Sequence, residues 1–329
     1  ETAMTALATA ALAMEPGDWI IFATENFDNG NIFITPENGN ITEYSTEAIW
    51  DPVKRRVFIA GGARGNRNQY LMCNQLWVQW SETTNAWTLL PELPLYLRGH
   101  SYDHAALDSN TGDYYLRARE AIQHYDASTG NWAAMPDLPI AGSCCNALAF
   151  FPDMDSLVFT NGDPSGNTKI FRYMKSSSSW QQLAIGQNLP MGNFHDTSDY
   201  SSVHGVLFFG GGEGGGSTSS DLYGLSATGN VVQYANAPVA YGSNNTITVT
   251  EPTTGNFLLL PQSTPDKFYE HVFSNDSWVT HNFPEGISIA NDSGSRLLTA
   301  AAPIPEFGVI MFIKTQRNSS VVYLYKHQP

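Results

Sequence analysis

The segment Arg98-Gly99-His100-Ser101-Tyr102-Asp103-His104 and the shorter Met191-Gly192-Asn193-Phe194-His195-Asp196 gather groups that move protons. The chain has ten Arg and eight His, and the loops that hold these segments, with Arg64, Arg67 and Arg119, account for four of the Arg and three of the His. Imidazole, phenol and guanidinium together suit abstraction of a proton α to a carboxylate, the Arg neutralising the acid while His or Tyr takes the proton. His100, Tyr102, His104, Arg119 and His195 are the candidate catalytic set, with Arg64, Arg67, Tyr70, Arg98, Asp103, Glu120 and Asp196 as candidate binding groups around it. His100, Tyr102 and His104 alternate, so on an extended strand they share one face. A hydrolytic alternative needs two carboxylates at a set separation, for which Asp103, Glu120, Asp196 and Glu213 are available.

Metal and cofactor motifs are weak. Alternating His without a fixed third ligand does not specify a transition metal, and the spacing of the three cysteines, Cys73, Cys144 and Cys145, is not that of a zinc site. Neither a P-loop nor a G-x-S-x-G elbow occurs, so no cofactor and no metal is expected. Cys144 and Cys145 are adjacent, point to opposite sides of a strand and are expected as buried free thiols. The run Gly210 to Gly216 lacks the Lys-Ser/Thr ending of a phosphate loop and is expected to be a flexible connection between strands.

The elements that must position these groups follow from a repeat. A polar turn, an aromatic, a short strand and a proline recur from Trp87 to Pro94, Trp132 to Pro139, Trp180 to Pro190, Val231 to Pro238 and Trp278 to Pro284. The anchors are 45, 48, 51 and 47 residues apart. Within each unit, Asp, Asn and Gly turns such as Asp108 to Asp113 and Asp126 to Asn131 separate short apolar runs with no helical period. A repeated four-stranded antiparallel unit of this length means a β-propeller. After Trp278 the chain supplies three more strands, near 296–302, 308–314 and 321–325, and the fourth is available only from the segment around Trp19 to Ala23. The fold is therefore expected to be all-β: a six-bladed β-propeller of four-stranded antiparallel blades, closed by pairing of its N- and C-terminal strands, which removes the exposed edges. Residues 15–329 form that single domain, residues 25–40 are a surplus loop or hairpin, and residues 1–14 are an Ala/Thr-rich tail able to form a short helix. The tail docks either on its own domain or on a neighbouring subunit.

With Gly61-Gly62, Trp80 and Trp87 in one unit, and Gly210-Gly211-Gly212 with Tyr223 in another, the chain resembles the Kelch-type propellers. The glycine pair is absent from the other units. The resemblance implies the propeller fold, and its members range from partner-binding modules to glycan lyases and a copper oxidase, so it leaves activity open. In such a fold the blade-entry loops and the loops joining second to third strands surround one mouth of the central channel, where the residues named above would converge.

Composition narrows the classes. Sixteen basic against 31 acidic residues give a net charge of −15, a field that repels nucleic acid. No apolar run is long enough to span a membrane. The acidity, the scarcity of Lys and the polar loops point to an extracellular or particle-surface recognition propeller that binds glycan or protein through its channel mouth. Tyr70, Tyr102 and Phe194 are available to stack on sugar. The alternative is a polysaccharide lyase or glycoside hydrolase using the His/Tyr/Arg group.

Overall fold

In the computed structural model the described residues are 4–36, 38–63, 74–94, 100–140, 145–183, 188–291 and 297–328. They form six antiparallel sheets. Blade 1 runs through Ile49–Asp51, Arg56–Ala63, Asn74–Ser81 and Ala86–Leu89, and blade 2 through Ala105–Leu107, Tyr114–Ala118, Ala121–Asp126 and Asn131–Ala134. Blade 3 comprises Leu148–Phe151, Ser156–Asn161, Lys169–Met174 and Ser179–Gln182. Blade 4 comprises Phe194–Ser201, Val206–Gly214, Leu222–Ser226 and Val231–Gln233, with the short Ser217–Thr218 added beside its second strand. Blade 5 has Thr246–Thr250, Phe257–Pro261, Lys267–Val272 and Ser277–Asn282. Blade 6 has Thr299–Ile304, Val309–Lys314 and Val321–Tyr325, and takes Trp19–Ile21 as its outermost strand. The first strand of each blade lies beside the first strand of the next, and that of blade 6 returns to that of blade 1, so the six enclose a common axis.

Closure occurs as the strand count requires. Trp19, Ile20 and Ile21 pair with Tyr325, Leu324 and Tyr323. Gly17 donates to the Lys326 carbonyl at 2.8 Å and Phe22 to that of Val322 at 2.8 Å, extending the ladder at both ends. Trp19 stacks on Tyr325 with ring centroids 4.3 Å apart and packs on Phe312 at 5.1 Å.

The repeating aromatics are clasps between blades. The Trp180 indole donates to the Pro136 carbonyl at 3.1 Å, and that of Trp278 to Ala235 at 2.9 Å, in each case reaching the chain just beyond the outer strand of the preceding blade. Trp87 does the same to the Thr24 hydroxyl at 2.9 Å, just after the closing strand of blade 6. Trp132 packs edge-on against Trp77 of blade 1 at 5.1 Å. An indole suits this place because its ring covers apolar surface between blades, fully buried at Trp87 and half-buried at Trp132, Trp180 and Trp278, while its N–H can reach an acceptor.

The surplus segment after Ala23 forms two 3₁₀ turns, Asp28–Phe33 and Ile41–Tyr44, with Phe27 and Phe33 packed on Trp87. Gly61 is required here: a Cβ would lie 2.7 Å from the Ile41 carbonyl oxygen. Gly210 to Gly214 is not a flexible connection but the end of a nine-residue strand, paired there with Asp196 and Phe194. The glycines permit close approach. Tyr241 packs on Gly211 and the entry-loop Gly192 lies against Gly212, where side chains would collide.

The tail is a helix, Ala6–Ala13, packed on its own propeller. Leu7, Ala11 and Met14 enter the core shared by blades 6 and 1. Thr5 caps it, its hydroxyl accepting from Ala8 N at 3.2 Å and donating to Glu82 at 2.5 Å. The Lys326 ammonium donates to the carbonyls of Ala11 (3.1 Å) and Met14 (2.8 Å), which the helix end leaves unbonded.

Replacing Trp19 by Ala removes the aromatic centre of the closing strand and should cost about 3 kcal/mol in a urea melt, the low end for a large packed aromatic. An unchanged midpoint would show that closure does not limit stability. Leu7→Ala should cost about 2–3 kcal/mol by the same measure, because the leucine is fully buried.

Candidate functional site

Three of the expected groups meet at the blade-entry mouth of the channel. His100 and Tyr102 stand on the turn leading into blade 2, pinned by Ser101, whose N–H and hydroxyl both donate to the Tyr44 carbonyl at 2.9 and 3.1 Å. His195 lies in the first strand of blade 4. Its ring is 6.1 Å from His100, nearly parallel, and 5.0 Å from Tyr102, edge-on. Tyr44 closes the group at 5.3 Å from His100. Blade 3 supplies the floor between them, where the Cys145 carbonyl accepts from His195 N at 2.8 Å.

His195 has φ +57°, a left-handed conformation uncommon for a residue with a Cβ. It is held from both sides, by Cys145 and by Ser243, whose N–H donates to the His195 carbonyl at 2.8 Å. Such over-determined backbone is frequent at functional sites. The imidazole Nδ1 lies 3.3 Å from Glu213 Oε2, and Asn244 Nδ2 donates to the other oxygen of Glu213 at 2.6 Å. An ionised carboxylate only accepts, so His195 carries its proton on Nδ1. Glu213 thus orients His195 as a carboxylate orients a catalytic imidazole.

Cys145 overturns the expectation of buried free thiols. It is disulfide-bonded, and its sulfur accepts from His100 Nδ1 at 3.5 Å. Cys73 and Cys144 both lie outside the described residues. His100, Cys145 and His195 have ligand atoms within 4.8 Å of one another, a nitrogen and sulfur set suited to a soft metal ion. A disulfide sulfur is not a thiolate, so this set becomes a metal ligand set only on reduction.

The remaining expected residues that are described go elsewhere. The alternation from His100 to His104 fails because the chain turns at Tyr102 and Asp103 instead of continuing as a strand. His104 is buried, with Nε2 3.3 Å from Arg117 Nη2. A guanidinium can only donate, so the His104 lone pair is occupied and its proton sits on Nδ1. Burial first, and then the Arg117 charge, push its pKa well below the usual value and keep it neutral. Arg119 is exposed at the hairpin tip with φ +55°, and Glu120 follows it, half-buried. Asp196 is fully buried behind blade 3, accepting from Ala147 N at 2.9 Å and Thr160 Oγ1 at 2.7 Å, and burial raises its pKa to about 7. Arg64, Arg67, Tyr70 and Arg98 lie outside the described residues.

Arg117 was not anticipated. It is fully buried on an apolar strand, donating to the Asn146 carbonyl at 3.0 and 2.6 Å and to the Arg119 carbonyl at 2.6 Å, and desolvation lowers its pKa to about 10. One Arg inside an apolar run has no periodicity to reveal it.

Asp103 faces the channel. There the first strands surround a cavity of about 390 Å³ whose walls include Ile49, Leu107, Phe150 and Val249. Its rim holds the exposed Ser109, Ser202 and Pro305, in the turns that leave the first strands, so it opens on the face opposite the His100 cluster. Glu47, Asp103 and Asp199 lie along it. Glu47 accepts from Ala105 N at 3.3 Å and Asp103 from Ser198 N at 2.6 Å. Burial first, then their mutual repulsion, raises the Glu47 and Asp103 carboxyls well above the usual range, and burial raises Asp199 to about 6.

No protein-family model matches this sequence, and no curated protein shows significant similarity to it.

A carboxyl raised on folding keeps a proton that the unfolded chain has released. Its cost is absent below about pH 4 and grows until the folded-state value is passed. Asp199→Asn should therefore melt like the parent at pH 4 and be more stable at pH 7, the gap opening between about pH 4 and 6 and reaching about 3 kcal/mol at most. Urea midpoints across that range test it, and a gap independent of pH would contradict the raised pKa.

Proposed function

We propose that this propeller is a recognition protein that binds glycan through its blade-entry mouth, without catalysing a reaction. Propellers commonly serve as binding scaffolds, and the single observation that carries the reading is Phe194. It is 43% exposed, beside His195 in sequence and opposite Glu213 in the strand register. An exposed aromatic next to a pinned imidazole and carboxylate has the make-up of a sugar subsite, an apolar ring face with polar groups at its edge. The chain reads as a divergent Kelch-type array, on the Gly61-Gly62 and Gly210-Gly212 pairs at the ends of second strands. The Cys145 disulfide and the net charge of −15 support an extracellular or particle-surface setting, since disulfides persist in oxidising compartments. On a glycan array followed by calorimetry, Phe194→Ala should weaken the best ligand about tenfold, the equivalent of one aromatic contact. Full retention of affinity would remove Phe194, and the reading with it.

The Glu213–His195 pair favours a second reading, a polysaccharide lyase with His195 and Tyr102 exchanging the proton. It lacks a described cation at the reacting centre, because the Arg117 guanidinium is spent on carbonyls and His104. If the protein cleaves a uronate polymer, Glu213→Gln should lower turnover by about 10²-fold or more with little change in binding. Absence of unsaturated product with the parent protein decides for recognition. Assembly through residues 1–14 has one support, the exposed Leu12 on the docked helix and the exposed Met4 just before its cap. A mass distribution that does not change with concentration would dismiss it.

A further inference from the structure

The channel holds a feature that the mouth does not use. Glu47 comes from blade 1, Asp103 from the entry to blade 2 and Asp199 from blade 4, and blades 1 and 4 face each other across the axis. Their carboxyls therefore converge on the axis instead of spreading over a wall. Among the described residues lining the cavity there is no Lys, Arg or His, and Glu306 at the rim adds a fourth acid. Thr197, Ser198 and Ser243 also line it. Each is more than nine-tenths buried, and their hydroxyl oxygens have no hydrogen-bond partner among the described residues. Buried carboxyls, of which only Asp103 feels a cation (Arg117, outside the lining), and buried hydroxyls without a partner are both costly. A cationic donor at this position would supply the acids with charge and several of these acceptors with a partner.

Two observations decide what kind of cation. Among the described residues, only His100, Cys145 and His195 have three ligand atoms within 4.8 Å of one another, so the channel acids do not form a metal's inner shell. The walls above them, with Ile49, Trp50, Leu107, Phe150 and Val249, are apolar, which a hydrated ion does not seek. The volume of about 390 Å³ falls in the range of small-molecule sites. We infer that the channel binds a small organic ammonium, its charged head among Glu47, Asp103 and Asp199 and its apolar body against the walls, entering from the face opposite the mouth. An ammonium carries three donors, matching an environment made of acceptors.

Calorimetry at neutral pH with phenethylamine as probe tests this, against 2-phenylethanol, which keeps the apolar body without the charge, and against calcium chloride. The amine should bind at least tenfold more tightly than the alcohol, and Glu47→Gln and Asp199→Asn should each weaken amine binding at least fivefold and so reduce its preference over the alcohol. Equal affinity for amine and alcohol, or no saturable amine binding below roughly 10 mM, would overturn the inference. So would calcium binding that displaces the amine, which would make the acids a metal site. If either variant fails to fold, the ratio of amine to alcohol affinity on the parent protein still supports or overturns it.

Discussion

Six sheets arranged about one axis leave a central space too wide for their side chains to fill and too narrow to behave as bulk water. This constraint governs the molecule. The first strand of each blade must present something to that space while its neighbours on both sides are packed sheets. Apolar groups such as Ile49 and Val249 line most of it, and the acids Glu47, Asp103 and Asp199 occupy its deeper part. The outer rim of the ring is governed differently. There the indoles of Trp87, Trp180 and Trp278 tie blades 1, 3 and 5 each to the blade before, so alternate seams of the ring carry a clasp at the periphery.

The architecture was legible because those clasps repeat. A Trp at a fixed place in the outer strand makes the same kind of contact in three blades, and with Trp132 and Val231 at the matching places it leaves a spacing that survives divergence of everything between. The missing fourth strand of the last unit then specified closure by Trp19 to Ile21. Less regular parts were legible only as residue types. The glycines after Phe209 looked like a flexible connection because sequence does not reveal what approaches them, and the approaching groups, Tyr241 and Gly192, come from other loops. His104 looked equivalent to His100, and one turn of backbone at Tyr102 separated them. Its partner Arg117 was hidden in an apolar strand, and the bonding of Cys145 carries no local signature at all.

The two ends of the channel have different chemical characters. At the entry mouth, aromatic rings, imidazoles and a disulfide pack into a layer tied to the backbone by Ser101, Cys145 and Ser243. Such a surface is pre-organised and suits a ligand that lies across it. At the other end the walls are apolar and the depth is acidic, a shape for a ligand that inserts. The Asp103 backbone joins the two, since it follows Tyr102 directly while its carboxylate turns into the channel.

Sharing one blade between the chain ends also sets an order of assembly. During synthesis Trp19 to Ile21 emerges before any other strand of the ring, yet its partner strand, Val321–Tyr325, is roughly three hundred residues downstream, a separation whose closure entropy is repaid only when the last sheet exists. At typical elongation rates of about 5–20 residues per second, the interval lasts on the order of tens of seconds. Throughout it the nascent chain displays an unpaired strand edge bearing a Trp and two Ile. Five blades can stack in sequence behind the ribosome, but the ring cannot lock until the sixth arrives, which makes the first strand the segment most in need of shielding by chaperones.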